Sequence, residues 1–281
     1  MPMWPIIRRS PSVAVLRLSG IISPSGRPFS GTLNMASLAN PIRQAFSLRG
    51  VKAVALSINS PGGSPVQSTL IAKRVRSLAR EKEIPVFAFI EDIAASGGYW
   101  LACAADEIFA ESSSIVGSIG VVSTGFGFHD AIRKIGIERR VYAEGKNKSI
   151  LDPFKPEDPE QVERLKVLQR DIFEDFKKHV CDRRGKRLTG NEDILFNGDV
   201  WTGTRAKELG LIDGVGDLRT VLQDRFGSRV KIRLVGSSRS WLRKRISSHM
   251  DVSPGQIAAE DAVTAFLNSL EARALWARYG M

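Results

Sequence analysis

The chain has 281 residues, of which 43% are hydrophobic and 25% charged, and its formal net charge is +11. This composition is that of an ordinary soluble protein with a substantial core, arranged as one large α/β domain or two small ones. Neither Cys103 nor Cys181 belongs to a Cys-x-x-Cys pair, which argues against a disulfide scaffold and a zinc site. The sequence shows no apolar run long enough to span a bilayer and no secretory signal, so we expect a cytoplasmic protein.

The positive charge predicts attraction to an anionic partner, either a membrane surface or nucleic acid. The densest basic runs are residues 183–187 and 239–245, and Trp241 and Leu242 interleave with the second run. That pattern favours peripheral contact with an anionic membrane, with a plain solvated face as the alternative. Because no helix-turn-helix, zinc-finger or aromatic RNA-binding signature accompanies the charge, nucleic-acid binding is not expected.

The predicted elements alternate between strands and helices along the first half of the chain. A βαβ unit, with its strands at 53–58 and 85–90, requires a parallel sheet. A helix that opens at Ser96 carries apolar and small residues on all sides, as expected of a buried helix. The predicted order is a strand over 12–18, a helix capped by Asn34 and ending near 48, a strand over 53–58, a helix over 66–82, a strand over 85–90 and a helix over 96–105.

The alternation continues in the second half. The predicted order is a strand over 107–110, a helix over 131–135, a strand over 138–143, a long helix over 159–184, helices over 205–209 and 218–226, and a strand over 230–234. From residue 236 the composition turns basic and serine-rich, and residues 257–279 read as an amphipathic helix. We therefore predict a catalytic α/β domain over 1–235, followed by a basic linker and a C-terminal helix over 236–281.

Two glycine-rich segments each follow a predicted strand and suggest the two halves of one active site. Asn-Ser-Pro-Gly-Gly-Ser occupies residues 59–64, and Ala-Ala-Ser-Gly-Gly-Tyr occupies residues 94–99. Alone, either segment is a common turn. Together they offer a serine at a helix start, Ser96, and free backbone N–H groups that suit the oxyanion of an acyl-transfer intermediate. Ser96 is therefore the candidate nucleophile.

A nucleophilic serine needs a base, and the three histidines lack a persuasive setting. His129 follows a Gly-Phe-Gly-Phe turn, His179 lies in the charged end of the long helix, and His249 lies in the basic tail. A Ser-His-Asp triad is thus disfavoured. Lysine is the alternative base.

Five blocks in a fixed order make the chain similar to the signal peptide peptidase A family of bacterial Ser–Lys serine proteases. Beyond the two glycine segments, the blocks are Ala-Ala-Asp-Glu-Ile at 104–108, Gly-Ser-Ile-Gly-Val at 117–121, and Lys-Asn-Lys-Ser at 146–149 with Asp-Pro-Phe at 152–154. The resemblance covers about 13–234. It implies a Clp protease/crotonase-like α/β fold with a parallel sheet, here with a C-terminal helical extension.

The resemblance also implies roles for individual residues. Ser96 would be the nucleophile and Lys148 the general base, with Lys146 as the second choice; Ser118 would hold the lysine, and the Gly63 and Gly97 amides would form the oxyanion hole. A lysine accepts a proton near neutral pH only if burial, without a nearby carboxylate, lowers its pKa from about 10.4. We therefore expect no acid beside Lys148.

The implied function is an endopeptidase that degrades signal peptides or other hydrophobic, unfolded peptides, without a cofactor or metal and as a homo-oligomer. Two other classes remain open from the sequence. A crotonase-type enzyme acting on acyl-coenzyme A would share the oxyanion architecture and leave Ser96 and Lys148 incidental. A non-catalytic scaffold would keep the fold and use the basic C-terminal segment at a membrane.

Overall fold

The computed structural model describes residues 10–24, 32–236 and 273–281. Its eight strands form one sheet in the order β6-β5-β3-β2-β1-β8, with β4 paired to β3 and to β7. Every pairing is parallel except that of β5 with β6. The strands are β1 Ser12–Ser19, β2 Val51–Ser60, β3 Val86–Ala95, β4 Glu107–Ala110, β5 Ile115–Gly117, β6 Val200–Thr202, β7 Gly214–Val215 and β8 Lys231–Val235. The predicted α/β class with a parallel sheet is confirmed.

Eight α-helices connect these strands, and several begin where the sequence supplies a cap. The Asn34 side chain accepts a hydrogen bond from the Ser37 amide at the start of the first helix, and Asp217 caps the last in the same way. The helices are α1 Met35–Ser47, α2 Pro65–Lys82, α3 Gly97–Ala102, α4 His129–Lys134, α5 Pro159–Arg184, α6 Glu192–Leu195, α7 Gly203–Glu208 and α8 Leu218–Phe226. A short helical turn also occupies residues 273–277.

The sheet is buried on both faces at its centre, which explains why β1, β2 and β3 read as nearly continuous apolar runs. Helices α1 and α3 pack against these strands, and α2 packs against both of these helices. A second cluster contains Val13, Val15, Phe87, Phe89 and Phe109, and its members pack with Leu222 of α8. This two-sided core fixes the carboxyl ends of β2 and β3, where both glycine-rich segments begin.

The chain divides into two compact units. The first consists of residues 1–119 and 179–281, and the second of residues 120–178. The sheet and α1–α3 belong to the first unit, whereas α4 and most of α5 belong to the second. No helix of the described residues is both long enough and apolar enough to cross a membrane.

Two predicted strands differ from the structure. The strand predicted to stop at residue 90 runs on to Ala95, because Glu91 accepts a hydrogen bond from the neighbouring-strand hydroxyl of Ser57 and is thereby satisfied within the sheet. The predicted strand over 138–143 is wrong: these residues pair with no strand, and Arg140 bonds locally to Glu138. Most of the predicted amphipathic helix, residues 257–272, lies outside the described residues.

Candidate active site

The two glycine-rich segments lie directly against each other at the carboxyl ends of β2 and β3. A Cβ atom on Gly62 would lie 2.8 Å from both the Cβ of Ser96 and the amide nitrogen of Gly97. A Cβ atom on Gly98 would lie 2.4 Å from the carbonyl oxygen of Ser60. Such distances are impossible for real side chains, so only glycine permits this backbone approach. The structure thus brings together Ser96, Gly97 and the turn that contains Gly63.

The Gly63 amide is oriented by a bridge to Ile22. In that bridge the Ile22 amide donates to the Gly62 carbonyl at 2.8 Å, and the Ser64 amide donates to the Ile22 carbonyl at 2.7 Å. Parallel pairing of this kind uses the groups on either side of Gly63 and leaves its own N–H pointing to the opposite side. Gly97 lies close to this amide, because a Cβ on Gly97 would be 3.4 Å from the Gly63 nitrogen.

Ser96 links β3 to α3 in a strained conformation. Its φ is 53° and its ψ is −121°, which lies outside the regions that ordinary residues occupy. The Ser96 side chain makes no capping hydrogen bond, so its hydroxyl is not used by the helix. Ser96 is also half-buried, whereas Ile93–Ala95 before it and Gly97–Ala102 after it are buried. Backbone strain of this size is typical of functional sites, and here it presents one hydroxyl beside the helix N-terminus.

Ser118 is the neighbour of Ser96 on the next strand of the sheet. The Ser96 amide donates to the carbonyl of Gly117 at 2.8 Å, and the Ser118 amide donates to the carbonyl of Asp199 at 2.6 Å. Ser118 also has a positive φ of 51°. Two serines with positive φ therefore directly follow paired residues at the ends of β3 and β5.

Two buried serines that the sequence analysis left unassigned shape this site. The Ser60 hydroxyl accepts a hydrogen bond from the Gly62 amide at 3.2 Å and so holds the glycine turn. The Ser68 hydroxyl would lie 2.5 Å from a Cβ on Gly97, so it packs directly against the backbone of Gly97. Ser68 is fully buried on α2 and bonds to the carbonyl of Ser64 at 2.9 Å. Its place on the apolar face of a helix was the only sequence signal for it.

The buried groups around α3 have structural roles. Tyr99 donates from its hydroxyl to the carbonyl of Leu211 at 2.7 Å. His179 stacks on the Trp100 ring, with centroids 4.9 Å apart, and burial lowers the pKa of its imidazole. Burial also raises the pKa of the Cys103 thiol to about 11, which makes this thiol unreactive. Among these groups we find no base for Ser96.

Lys148 belongs to the second unit, in a series of turns over residues 144–151. Its side chain is exposed, which differs from the burial expected of a catalytic lysine. The Nζ of Lys146 lies 3.6 Å from a carboxylate oxygen of Glu160. The choice between the two lysines therefore stays a prediction.

The C-terminal end of the loop that carries Lys148 is held by a hydrogen bond to α5. Leu151 has a positive φ of 56°, and its amide donates to the Gln161 side chain of α5 at 2.7 Å. Asp152 follows, and the Phe154 amide that donates to its carboxylate, together with nearby Arg139, lowers the pKa of this acid. The turn at Leu151 and its hydrogen bond to Gln161 therefore fix the position of the loop relative to α5.

A cavity of about 700 Å³ adjoins this loop within the second unit. Its lining combines apolar side chains, such as Phe126 and Leu165, with charged ones, such as Asp152, Lys155 and Asp158. Its volume lies within the range of about 300 to 1,000 Å³ that is typical of ligand pockets. No cluster of three or more side chains suited to a metal ion occurs in the described parts of the chain.

Comparison with known proteins identifies the family. The sequence model of peptidase family S49 matches residues 78–226. The chain is 50% identical over 273 residues to a protein of Brucella abortus named Na(+)/H(+) antiporter NhaA, which covers 96% of this chain but 37% of that relative. It is 38% identical over 167 residues to a putative protease of Methanocaldococcus jannaschii, covering 59% of this chain and 52% of the relative.

A third relative is the chloroplastic serine protease SPPA of Arabidopsis thaliana, which is 35% identical over 213 residues, covering 73% of this chain and 31% of the relative. The chain thus spans 31% to 52% of the length of these relatives. The family match includes Ser96, Gly97, Ser118 and Lys148. The chain therefore belongs to peptidase family S49, and the predicted class of enzyme, a serine-type peptidase, is confirmed at the level of the family.

Proposed function

We propose that this protein is an endopeptidase with a Ser96–Lys148 dyad that degrades hydrophobic or unfolded peptides, signal peptides among them. The observation that carries the proposal is the packing of the Gly62–Gly63 turn against Ser96 and Gly97, with Ser96 held at φ 53° and ψ −121°. This arrangement suits an acyl-transfer site, because it combines an unengaged hydroxyl with two backbone donors.

In the proposed reaction, Ser96 Oγ attacks the peptide carbonyl carbon while Lys148 Nζ accepts the hydroxyl proton. The carbonyl oxygen becomes an oxyanion that accepts hydrogen bonds from the Gly63 and Gly97 amides. When the intermediate collapses, the C–N bond breaks and Lys148 returns the proton to the leaving amine. Water then attacks the acyl-enzyme with Lys148 again accepting the proton, which releases the acid and restores Ser96.

The dyad requires Lys148 to be neutral, and a lysine loses its proton near neutral pH only in a desolvated site. Lys148 is exposed in the single chain. We therefore propose that the working enzyme is a homo-oligomer and that assembly or bound substrate desolvates Lys148. The hydroxyl of Ser118, which lies beside Ser96, would then hold the amine by a hydrogen bond without recharging it.

The surface of the second unit supports both assembly and an apolar substrate. Large apolar side chains are exposed there, including Phe126 at 81% and Ile135 at 70%, and Leu168 is exposed on α5. An apolar surface of this kind is typical of sites that bind peptides or other subunits. The cavity beside the Lys148 loop offers apolar side chains, such as Phe126 and Leu165, to a substrate.

We also propose peripheral contact with an anionic membrane. The net charge of +11 supports it, and so do the antiporter names of the Brucella relatives, since an antiporter acts across a membrane. Sedimentation with vesicles of phosphatidylglycerol, but not with phosphatidylcholine alone, is the expected result. Equal sedimentation with both vesicle types, or with neither, would count against this contact.

The dyad is tested by hydrolysis of fluorogenic apolar peptides and a denatured protein by the full chain. We expect Ser96→Ala and Lys148→Ala each to lower kcat by about 10³-fold or more, as loss of a nucleophile or base does in other serine peptidases. The matched controls are Ser113→Ala and Lys134→Ala, at exposed positions, which should retain the wild-type rate.

The pH dependence of the wild type tests for a lysine base, and two variants decide which lysine it is. The wild-type kcat/KM should rise with pH along a limb whose midpoint lies below the value of about 10.4 for free lysine. Full activity in Lys148→Ala with loss in Lys146→Ala would move the base to Lys146. Binding of acyl-coenzyme A with no peptide hydrolysis would contradict the proposal.

A further inference from the structure

The C-terminal residues of the chain contact the candidate active site. The Tyr279 hydroxyl donates a hydrogen bond to Ser118 Oγ at 3.1 Å, and both residues belong to the first unit. Ser118 directly follows Gly117, whose carbonyl accepts the Ser96 amide. The tyrosine hydroxyl is thereby bonded to the residue that directly follows the backbone partner of the proposed nucleophile, Ser96.

The segment that carries Tyr279 has a defined local structure. A helical turn over 273–277 ends in a pair of hydrogen bonds, from the Gly280 amide to the Ala277 carbonyl at 3.1 Å and from the Met281 amide to the Trp276 carbonyl at 3.2 Å. Together with a φ of 74° at Gly280, these bonds form a Schellman motif. This terminus fixes the direction in which the side chain of Tyr279 leaves the helical turn.

One face of this segment is covered. Leu275, Trp276 and Tyr279 are half-buried, whereas Arg273, Ala274 and the pair Ala277–Arg278 are exposed. Covered positions at this spacing lie on one side of a helical turn. The segment therefore rests on the protein with its two aromatic side chains inward and its two arginines outward.

We propose that residues 273–281 are an internal ligand of the active site, which binds at Ser118 and competes with Lys148 and substrate for the space beside Ser96. This inference rests on the proposed peptidase function. A hydroxyl has one donor and two acceptor positions, and Tyr279 uses one of the acceptor positions of Ser118. A tyrosine ring also covers a large area, so it occupies room that an amine or a peptide would need.

Because the segment is part of the same chain as the site, it can occupy the site even if its affinity is low. A tethered segment experiences an effective concentration that reaches the millimolar range, so a segment with millimolar affinity still occupies its site for much of the time. Its removal should raise peptidase activity by a factor set by that occupancy, about twofold where the affinity equals the effective concentration and more where binding is tighter. Substrates present at high concentration should displace it.

The first measurement is binding, because it does not depend on catalysis. A fluorescein-labelled peptide with the sequence of residues 273–281 is titrated with a chain that ends at residue 272 and carries Ser96→Ala. Saturable binding, weakened about threefold to tenfold when the peptide carries the change Tyr279→Phe, is the expected result, since that range corresponds to loss of one hydrogen bond. The control peptide carries Arg278→Ala, at an exposed position, and should bind as well as the original.

The second measurement is peptidase activity of the full chain, the shortened chain and the full-length Tyr279→Phe variant. We expect kcat/KM to increase in the order full chain, Tyr279→Phe, shortened chain, and we expect added peptide to inhibit the shortened chain most strongly. Unchanged activity and no peptide binding would overturn the inference. If no form hydrolyses any peptide, the proposed function fails, whereas the binding titration still decides whether the segment is a ligand of this site.

Discussion

The two units of the chain present their candidate catalytic residues in different ways. In the first unit, Ser96 and Ser118 are held by backbone hydrogen bonds of 2.6 to 2.8 Å and by glycines that no other residue can replace. In the second, Lys148 is exposed on a turn beside a surface that displays Tyr142 at 92% exposure. The proposed nucleophile is thus positioned by the single chain, whereas the proposed base lacks the burial that its role would require. Substitutions should therefore affect stability in the first unit and assembly in the second.

The largest effect is expected from loss of a buried charge pair in the first unit. Arg184 has a side chain only 1% exposed, and it donates to the Asp213 carboxylate at 2.7 Å and to the Gly210 carbonyl at 2.9 Å. Arg184→Ala removes the buried partner of this carboxylate and leaves it only the more exposed Arg187, at 3.2 Å, and the Ile108 amide, so the free energy of unfolding should fall by about 3 kcal/mol. Urea unfolding measures this change.

A surface pair provides the control for Arg184. Arg205 pairs with Glu208 within α7, and both side chains are more than half exposed. Arg205→Ala should lower the free energy of unfolding by no more than about 1 kcal/mol. Equal losses in the two variants would show that the first unit is not held by its buried pair.

The next effect concerns the oxyanion donors. A Cβ on Gly63 would lie 2.1 Å from the Ile22 carbonyl oxygen, so Gly63→Ala must displace the Gly63 amide. We expect kcat to fall by about 10²- to 10³-fold, the cost of losing one oxyanion donor. Gly50→Ala is the matched control, because Gly50 also has a positive φ, 74°, but has nothing within 4 Å of the added atom. That control should keep its turnover and lose only about 1 kcal/mol of stability.

A smaller effect is expected on the pH dependence of stability. Burial alone would raise the pKa of Asp213, but hydrogen bonds from Arg184 and from the Ile108 amide outweigh it and hold the pKa below the usual range. A carboxylate with a lowered pKa in the folded state stabilises the protein above the unfolded pKa, about 3.9 for aspartate, and this contribution is lost as pH falls through the folded value. Urea unfolding from pH 7 to pH 3 should show stability falling toward low pH. In Asp213→Asn this acid-dependent loss should be smaller, and an unchanged slope would contradict the assignment.

The smallest effect on stability is expected on the exposed face of α5. Leu168→Glu, at a position 59% exposed, should change the free energy of unfolding by no more than about 0.5 kcal/mol. If α5 is a subunit interface, the same variant should sediment as a smaller species and lose activity, because a charge cannot be buried there cheaply. Lys166→Glu, two residues earlier in α5 and also exposed, is the control for an added negative charge. Normal assembly of Leu168→Glu would exclude this face from the interface.

Local patterns in the sequence predicted most of the first unit. The alternation of apolar runs gave the βαβ unit, and the glycine pairs indicated where two strand ends would meet. The extension of β3 through Glu91 and Asp92 was missed, because charged residues usually end a buried strand, whereas here Ser57 and Asn59 of β2 bond to them. These partners lie more than 30 positions earlier, so no local pattern indicates them.

The sequence was less informative about the second unit and the chain terminus. Residues 138–143 have the apolar spacing of a strand but no partner strand, since strand formation depends on pairing that spacing alone does not specify. Burial of Lys148 depends on surroundings that a motif does not contain. The contact of Tyr279 with Ser118 joins residues 161 positions apart, and nothing in the composition of the tail points to it.

The backbone at Ser96 has a further consequence for protein engineering. A residue other than glycine in this conformation costs on the order of 1 to 3 kcal/mol, so the fold holds Ser96 against its own thermodynamic preference. If Ser96 is the nucleophile, Ser96→Gly should give an inactive protein that melts at a higher temperature than the parent. Such a variant would be the more stable protein for crystallising substrate complexes, and selection for thermal stability alone would favour the replacement of Ser96.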